Sequence, residues 1–231
     1  MPESVTTSGP AAPQAERRLA AVLSLIAGMV DVTGFLSLGN LFTAHITGNL
    51  VVIAALVVRG GPVNLAQVLA IPVFILAVGG AWLLARVSAQ RGSRLAKRLL
   101  LVQFLLLATV LVFSVVTRAS AHPHGLMAGI AAMIAVCAMA CQFALFRLAL
   151  PGGPSTAVMT GNLTNTVLAL LDKAAPRSGP PSDAAEPTDT SLHLLINFFA
   201  GCVAAAAAVS VLGDWAWSLP TALAALAIAL Q

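Results

Sequence analysis

The sequence predicts an all-α integral membrane protein, a duplicated helical repeat with six crossing helices plus two short Thr-Gly-Asn segments that enter the membrane and return. Eight full crossings is the alternative. Three observations carry this expectation. Only 9% of the residues are charged while 59% are hydrophobic, whereas a soluble domain carries about 25% charged residues. The apolar stretches are continuous rather than alternating. The tripeptide Thr-Gly-Asn occurs once in each half of the chain.

A chain this poor in charge cannot cover a water-facing surface, and its mean hydropathy of +0.95 points the same way. In lipid every backbone N–H and C=O must be paired internally, which leaves helices or closed barrels. Unbroken runs of Ala, Leu and Val read as helices rather than as barrel strands. The net charge of +4 is not a nucleic-acid footprint, because the cations sit at the ends of apolar segments. Aromatic residues are scarce and Tyr is absent, so a base-stacking surface is not expected. The expected partner is the lipid bilayer.

Taken in order, residues 1–16 form a disordered tail rich in Pro, Ala, Ser and Thr. Arg17-Arg18 anchors the first helix at the cytoplasmic side. A twin-arginine export signal is the weaker reading, because Asp31 interrupts the apolar run and no cleavage site follows. Apolar segments are expected at 19–38, 45–58, 64–85, 99–117, 125–148, 156–171, 191–212 and 216–230. A full crossing needs about 20 residues, so the second, sixth and eighth are short. Residues 172–190 form an exposed loop rich in Pro, Ser and Asp. Residues 17–231 thus make one membrane domain, with repeat 1 at about 17–118 and repeat 2 at about 125–231.

The repeat is read from Ala44-His45-Ile46-Thr47-Gly48-Asn49-Leu50, which lies 113 residues before Ala157-Val158-Met159-Thr160-Gly161-Asn162-Leu163. Each copy follows a long apolar helix and a Gly-containing loop, Leu38-Gly39-Asn40 or Pro151-Gly152-Gly153-Pro154. Each precedes a short apolar run.

These residues resemble the YoaK family of bacterial membrane proteins, a domain of unknown function. Gly28-x-x-Asp31-x-x-Gly34-Phe35 is similar to its first-helix motif, and Phe42-x-x-His45-Ile46-Thr47-Gly48-Asn49 to its most specific one. Gln142, Gly153-Pro154-Ser155 and Thr160-Gly161-Asn162-Leu163-Thr164 resemble its second Thr-Gly-Asn region. Where the family tends to read Gly-Met-Gln-Asn, this chain has Ala140-Cys141-Gln142-Phe143. The resemblance implies about six membrane helices, a bacterial inner-membrane location and no established activity.

Charge decides between the two topologies. If all eight segments cross, the twelve Lys and Arg divide six to six, against the positive-inside rule. If the Thr-Gly-Asn segments return to the side they entered, the inside holds ten. It then carries Arg17, Arg18, Arg86, Arg91, Arg94, Lys97, Arg98, Arg147, Lys173 and Arg177, leaving only Arg59 and Arg118 outside. The segment 45–58 would be about 21 Å long as a helix, short of a hydrocarbon core of about 30 Å. Three crossings per repeat make the second copy upside down, the inverted-repeat plan of many secondary transporters.

The residues expected to carry chemistry follow from this plan. Thr47-Gly48-Asn49 and Thr160-Gly161-Asn162 would start their short helices. Thr would act as N-cap, Gly as a point of close approach, and Asn as donor and acceptor. Two such helix starts meeting near the midplane would offer free N–H groups to an anionic group; packing and capping between helices is the equal alternative. Asp31 lies inside the first apolar helix, where an ionised carboxylate costs about 2.5–3.5 kcal/mol on insertion scales. That suits proton coupling or ligand contact, with a structural hydrogen bond to the Thr-Gly-Asn region as the alternative. His45 could partner it in a relay, and Val158 in the second copy excludes a His pair. Gln142 lies near the position that repeat symmetry gives Asp31.

Other polar residues have plainer readings. Arg147 is a cytoplasmic anchor, His193 and Asn197 are interhelical glue, and His122-Pro123-His124 is a surface loop. Trp82, Trp215 and Trp217 are interfacial anchors. Cys137, Cys141 and Cys202 are small buried hydrophobes. No metal site, cofactor or catalytic residue is expected, and no phosphate-binding, nucleophile-elbow or zinc-protease motif is present. A small secondary transporter or permease is the leading expectation. A non-transporting scaffold or accessory subunit comes next, and a lipid-acting enzyme last. A homo-oligomer is compatible with the Gly- and Ala-rich helices.

Overall fold

The computed structural model describes residues 14–60, 64–88, 91–150, 156, 159–174 and 188–231. Among these residues all regular structure is helical. The long helices are α1 (Gln14–Ser37), α3 (Leu65–Val87), α4 (Ser93–Thr117), α5 (Leu126–Leu148) and α7 (Thr188–Leu212). The shorter ones are α2 (Gly48–Arg59), α6 (Met159–Ala174) and α8 (Ser218–Ala229). Five stretches are long and apolar enough to cross a membrane: α1, α3, α4, α5, and Thr190–Ala229, which contains both α7 and α8. Large apolar side chains such as Leu76, Val87, Val116 and Val211 are exposed. Lipid, not water, is the solvent that tolerates such a surface.

Several boundaries differ from those expected. Helix α1 begins at Gln14, so residues 14–16 belong to it rather than to a tail, and Glu16 in its first turn complements the helix dipole. Residues 1–13 lie outside the described part. Helix α4 begins at Ser93 rather than 99, because hydropathy marks where the membrane starts, while Arg, Lys and Leu are all good helix formers. The loop expected at 172–190 is trimmed at both ends by α6 and α7, and its remainder, 175–187, lies outside the described residues. The last apolar segment opens as a 3-10 turn, Gly213–Trp217, before α8.

Hydrogen bonds at the helix ends fix the direction of each crossing. Helix α1 stops where Gly39 and Asn40 both take left-handed backbone conformations, φ 80° and 58°. These suit Gly and are tolerated by Asn. At this end of the bundle, called the upper end, Asn64 Nδ2 donates to the Gly39 carbonyl at 3.3 Å. Gln67 Nε2 donates to the Asn40 carbonyl at 3.0 Å. Helix α3 therefore starts at the end of the bundle where α1 finishes.

The Pro123 carbonyl also lies beside Gly39, which puts the α4–α5 turn at the upper end. Asp214, in the 3-10 turn after α7, accepts from Ser120 N at 3.1 Å and from Ser120 Oγ at 3.0 Å. That links the upper turns of the two halves. From the 3-10 turn, α8 folds back along α4 and α1. The start of α1, the end of α3, the start of α4 and the end of α5 then share the lower end, toward which α8 runs.

The core forms around α1 and α5. Seven alanines of α5 (Ala128, Ala131, Ala132, Ala135, Ala138, Ala140 and Ala144) are buried, and small side chains let neighbouring backbones come close. Helix α1 packs most extensively on α7, and α5 packs on α3 and α4. The α1–α7 pair runs parallel: Ser24 Oγ donates to the Leu194 carbonyl at 2.6 Å, and one turn further on Gly28 faces Phe198. The α3–α5 pair also runs parallel, with Gly129 near Ala66 and the Phe74 ring 6.1 Å from that of Phe143. The first pair climbs and the second descends.

Candidate functional site

The sharpest site is built around Asp31. It lies six residues before the end of α1, about 9 Å below the upper end of that helix. Its side chain is buried. Beyond Asn40 the chain doubles back, so that three successive backbone amides converge on the carboxylate. Oδ1 accepts from Thr43 N at 2.8 Å, Ala44 N at 2.6 Å and His45 N at 3.3 Å. The Thr43 hydroxyl adds a longer bond at 3.4 Å. Oδ2 pairs with Nδ1 of His45. Successive N–H groups folded around an anion form a nest, and here the anion belongs to the same chain.

The Gly28-x-x-Asp31-x-x-Gly34-Phe35 spacing of α1 has a physical account for each residue. A Cβ on Gly28 would collide with the Phe198 carbonyl oxygen, so this glycine sets the α1–α7 distance. Asp31 holds the returning loop. A Cβ on Gly34 would lie 3.0 Å from Thr43 Cγ2, so this glycine admits the loop. Phe35 packs against Phe42 with ring centroids 5.0 Å apart.

Asn49 closes the loop. Its Oδ1 accepts from Phe42 N at 2.9 Å and its Nδ2 donates to the Phe42 carbonyl at 2.8 Å, a two-bond clamp on one residue's backbone. Gly48 permits this, because a Cβ there would stand 3.0 Å from the Phe42 ring. Thr47 sits at the N-cap of α2 but makes no side-chain cap hydrogen bond, contrary to the capping role expected for it. Its own φ and ψ are already helical, −68° and −20°, whereas a capping side chain needs an extended residue.

The amides at the start of α2 are not free for a ligand. Gly48 N donates to His45 O, Asn49 N to Ile46 O and Leu50 N to Thr47 O. An anion site at this helix start is therefore set aside. The two short helices pack chiefly on different neighbours, α2 on α3 and α6 on α7. They follow opposite ends of the bundle, because each trails a long helix that runs the other way.

In the second copy, Thr160 lies within the first turn of α6, which starts at Met159, so it is not an N-cap. Asn162 is buried like Asn49, and its Nδ2 lies 3.9 Å from Met159 Sδ. Its carbonyl accepts from Thr166 Oγ1 at 2.8 Å. Gly161 is partly buried and Thr160 exposed. The loop 151–155 and residue Val158 lie outside the described residues.

His45 is the accessible member of the first cluster, with 37% of its side chain exposed. Its ring stands edge-on to Phe198 of α7 at 5.2 Å. The structure thus brings Asp31, His45, Gly48 and Asn49 together, and leaves Gln142 elsewhere. Gln142 is fully buried in the lower half of α5. Its Nε2 donates to the Leu23 carbonyl of α1 at 2.8 Å, and its Oε1 accepts from Gln103 Nε2 of α4 at 2.7 Å. Gln103 is a buried polar residue that the sequence reading passed over, although a glutamine inside a 25-residue apolar helix is the same signal that singled out Gln142. Asn197, read as interhelical glue, instead donates to the His193 carbonyl of its own helix at 2.7 Å.

The chain belongs to the family described as proteins of unknown function, DUF1275, which matches residues 19–230. The UPF0700 transmembrane protein YoaK of Bacillus subtilis (strain 168) is 57% identical over 35 residues. That stretch is 15% of this chain and 16% of the relative. No solved structure matches the chain. The resemblance read from Asp31 and the Thr-Gly-Asn motifs is thus shown, and the chain is a multi-pass membrane protein of this family.

Proposed function

We propose that this family member is a small secondary transporter of the bacterial cytoplasmic membrane, built as an inverted repeat, and that it is not an enzyme. The observation that carries the reading is the pairing of parallel helices. Helix α1 climbs beside α7 and α5 descends beside α3, which is how two copies related by an axis in the membrane plane would pack. The 113-residue offset places α5 on α1 and α6 on α2. The start of α3 at the end where α1 finishes supports a re-entrant α2.

Charge supports the orientation. Among the described cations outside α6, Arg17, Arg18, Arg86, Arg91, Arg94, Lys97, Arg98 and Arg147 belong to the lower end, and Arg59 and Arg118 to the upper. On the positive-inside rule the lower end is cytoplasmic. Asp31 and half-exposed His45 then form a carboxylate–imidazole pair within reach of the outer side, a pair suited to relaying a proton. The second copy has Ala144 and Val158 at the corresponding positions, so coupling would be one-sided.

A scaffold without transport is the second reading. It is favoured by the bonds themselves, since Asp31 and Asn49 spend their hydrogen-bonding capacity on the loop. Uptake of a panel of small metabolites into proteoliposomes separates the two. Transport requires at least one solute taken up by the wild type and lost in Asp31→Asn, with inserted protein undiminished. A scaffold requires no solute to exceed protein-free liposomes, and Asp31→Asn to act on folding yield alone.

A further inference from the structure

We propose that the cations at the lower ends of α3 and α4 form a binding site for the phosphate headgroup of an anionic phospholipid, whose acyl chain lies along the exposed apolar surface of the two helices. The sequence holds Arg86, Arg91, Arg94, Lys97 and Arg98 within 13 residues. No acidic residue occurs anywhere between Asp31 and Asp172, and none of the five cations makes an ion pair with a described residue. Arg91, Arg94, Lys97 and Arg98 are exposed. Arg86 stacks over Trp82 at 5.2 Å from the ring centroid, and Trp82 is itself half-exposed, as expected of a ring at headgroup level.

Solubility alone does not need this arrangement, because the cations stand directly on lipid-facing surface. On α4 the exposed stripe continues from Arg94, Lys97 and Arg98 to Leu101 and Leu105. On α3 the exposed Leu83 and Val87 lead to the same lower end. Helices α3 and α4 follow one another in the chain, yet each packs chiefly on α5 or other helices rather than on the other. The exposed surface of both helices is apolar along its length and cationic at its lower end. Clusters of four to eight Lys and Arg at the cytoplasmic edge of a membrane helix attract anionic headgroups, and arginine adds paired bonds to phosphate oxygens.

The test is thermal unfolding of the purified full-length protein in detergent, with added phosphatidylglycerol or an equal fraction of phosphatidylcholine. Phosphatidylglycerol is expected to raise the midpoint, phosphatidylcholine to leave it unchanged. The rise should shrink as salt shortens the screening length from about 10 Å at 0.1 M to about 3 Å at 1 M. The combined variant Arg91→Gln, Arg94→Gln, Lys97→Gln, Arg98→Gln should lose it, and the double variant Arg91→Gln, Lys97→Gln should lose part of it if the fourfold one fails to insert. The control Arg59→Gln, Arg118→Gln at the upper end should keep it. An equal rise with both lipids, a rise insensitive to salt, or one lost in the upper-end control would overturn the proposal. The cations would then serve orientation alone.

Discussion

Asp31 looked like a group waiting for a ligand, because a carboxylate inside an apolar helix is costly. The structure shows what offsets the cost: three backbone amides and an imidazole of its own chain. Asp31→Ala would leave those amides buried without an acceptor, a loss of about 3 kcal/mol or more. Asp31→Asn keeps one acceptor oxygen and should fall between. Unfolding midpoints in detergent would check the order, and an Asp31→Ala protein as stable as the wild type would remove the anchoring role. Asn49 allows a sharper test, because its two bonds run in opposite directions. In Asn49→Asp the atom facing the Phe42 carbonyl becomes an oxygen, so the clamp turns half repulsive and stability at neutral pH should drop at least as far as in Asn49→Ala. Protonating that carboxyl restores a donor to the Phe42 carbonyl. Asn49→Asp alone should therefore regain stability relative to Asn49→Ala as pH falls. Parallel pH curves for the two variants would refute the clamp.

At the scale of helices, the long apolar elements were legible because hydropathy and length suffice to find them. Their interfaces were not, since glycine reads the same in sequence whether it faces backbone or lipid. Gly28 and Gly201 sit at the α1–α7 crossing, where a Cβ on either would collide with a carbonyl oxygen of the other helix, Phe198 or Leu25. Gly79 and Gly80 of α3 have nothing within 4 Å of the added atom. Gly28→Ala or Gly201→Ala should thus cost about 1–3 kcal/mol through overpacking. Gly79→Ala or Gly80→Ala should be neutral or stabilise by up to about 1 kcal/mol through reduced backbone entropy. A comparison of the four unfolding midpoints decides it, and uniform effects would mean that the close crossing is not maintained. The site was legible to the same degree. The sequence marked Asp31, His45 and Asn49 as belonging together, because polar residues in an apolar run must find partners. It did not reveal that Phe42 is the clamp's target, since the partner groups are backbone atoms and carry no sequence signature. Nor could the tripeptide distinguish Thr47, outside its helix, from Thr160, already inside one.

For the molecule as a whole, direction matters more than composition. Helix α3 starts at the end where α1 finishes, and on the proposed reading this would give three crossings per half. An even number per half would keep the copies parallel; an odd number turns the second over, so that any opening on one side has a counterpart on the other. Only the first copy carries Asp31 and His45, so on the proposed transporter reading the two gates would be unlike. Side-specific thiol labelling in intact cells tests the premise. In a background without Cys137, Cys141 and Cys202, Gln14→Cys and Arg59→Cys place single thiols at exposed positions before α1 crosses and after α2 ends. A re-entrant α2 puts these thiols on opposite sides, with Arg59→Cys labelled by an impermeant maleimide from outside and Gln14→Cys only after the membrane is opened. A crossing α2 puts both on one side. That result would restore eight crossings and parallel copies, and with them would go the symmetry on which transport is proposed.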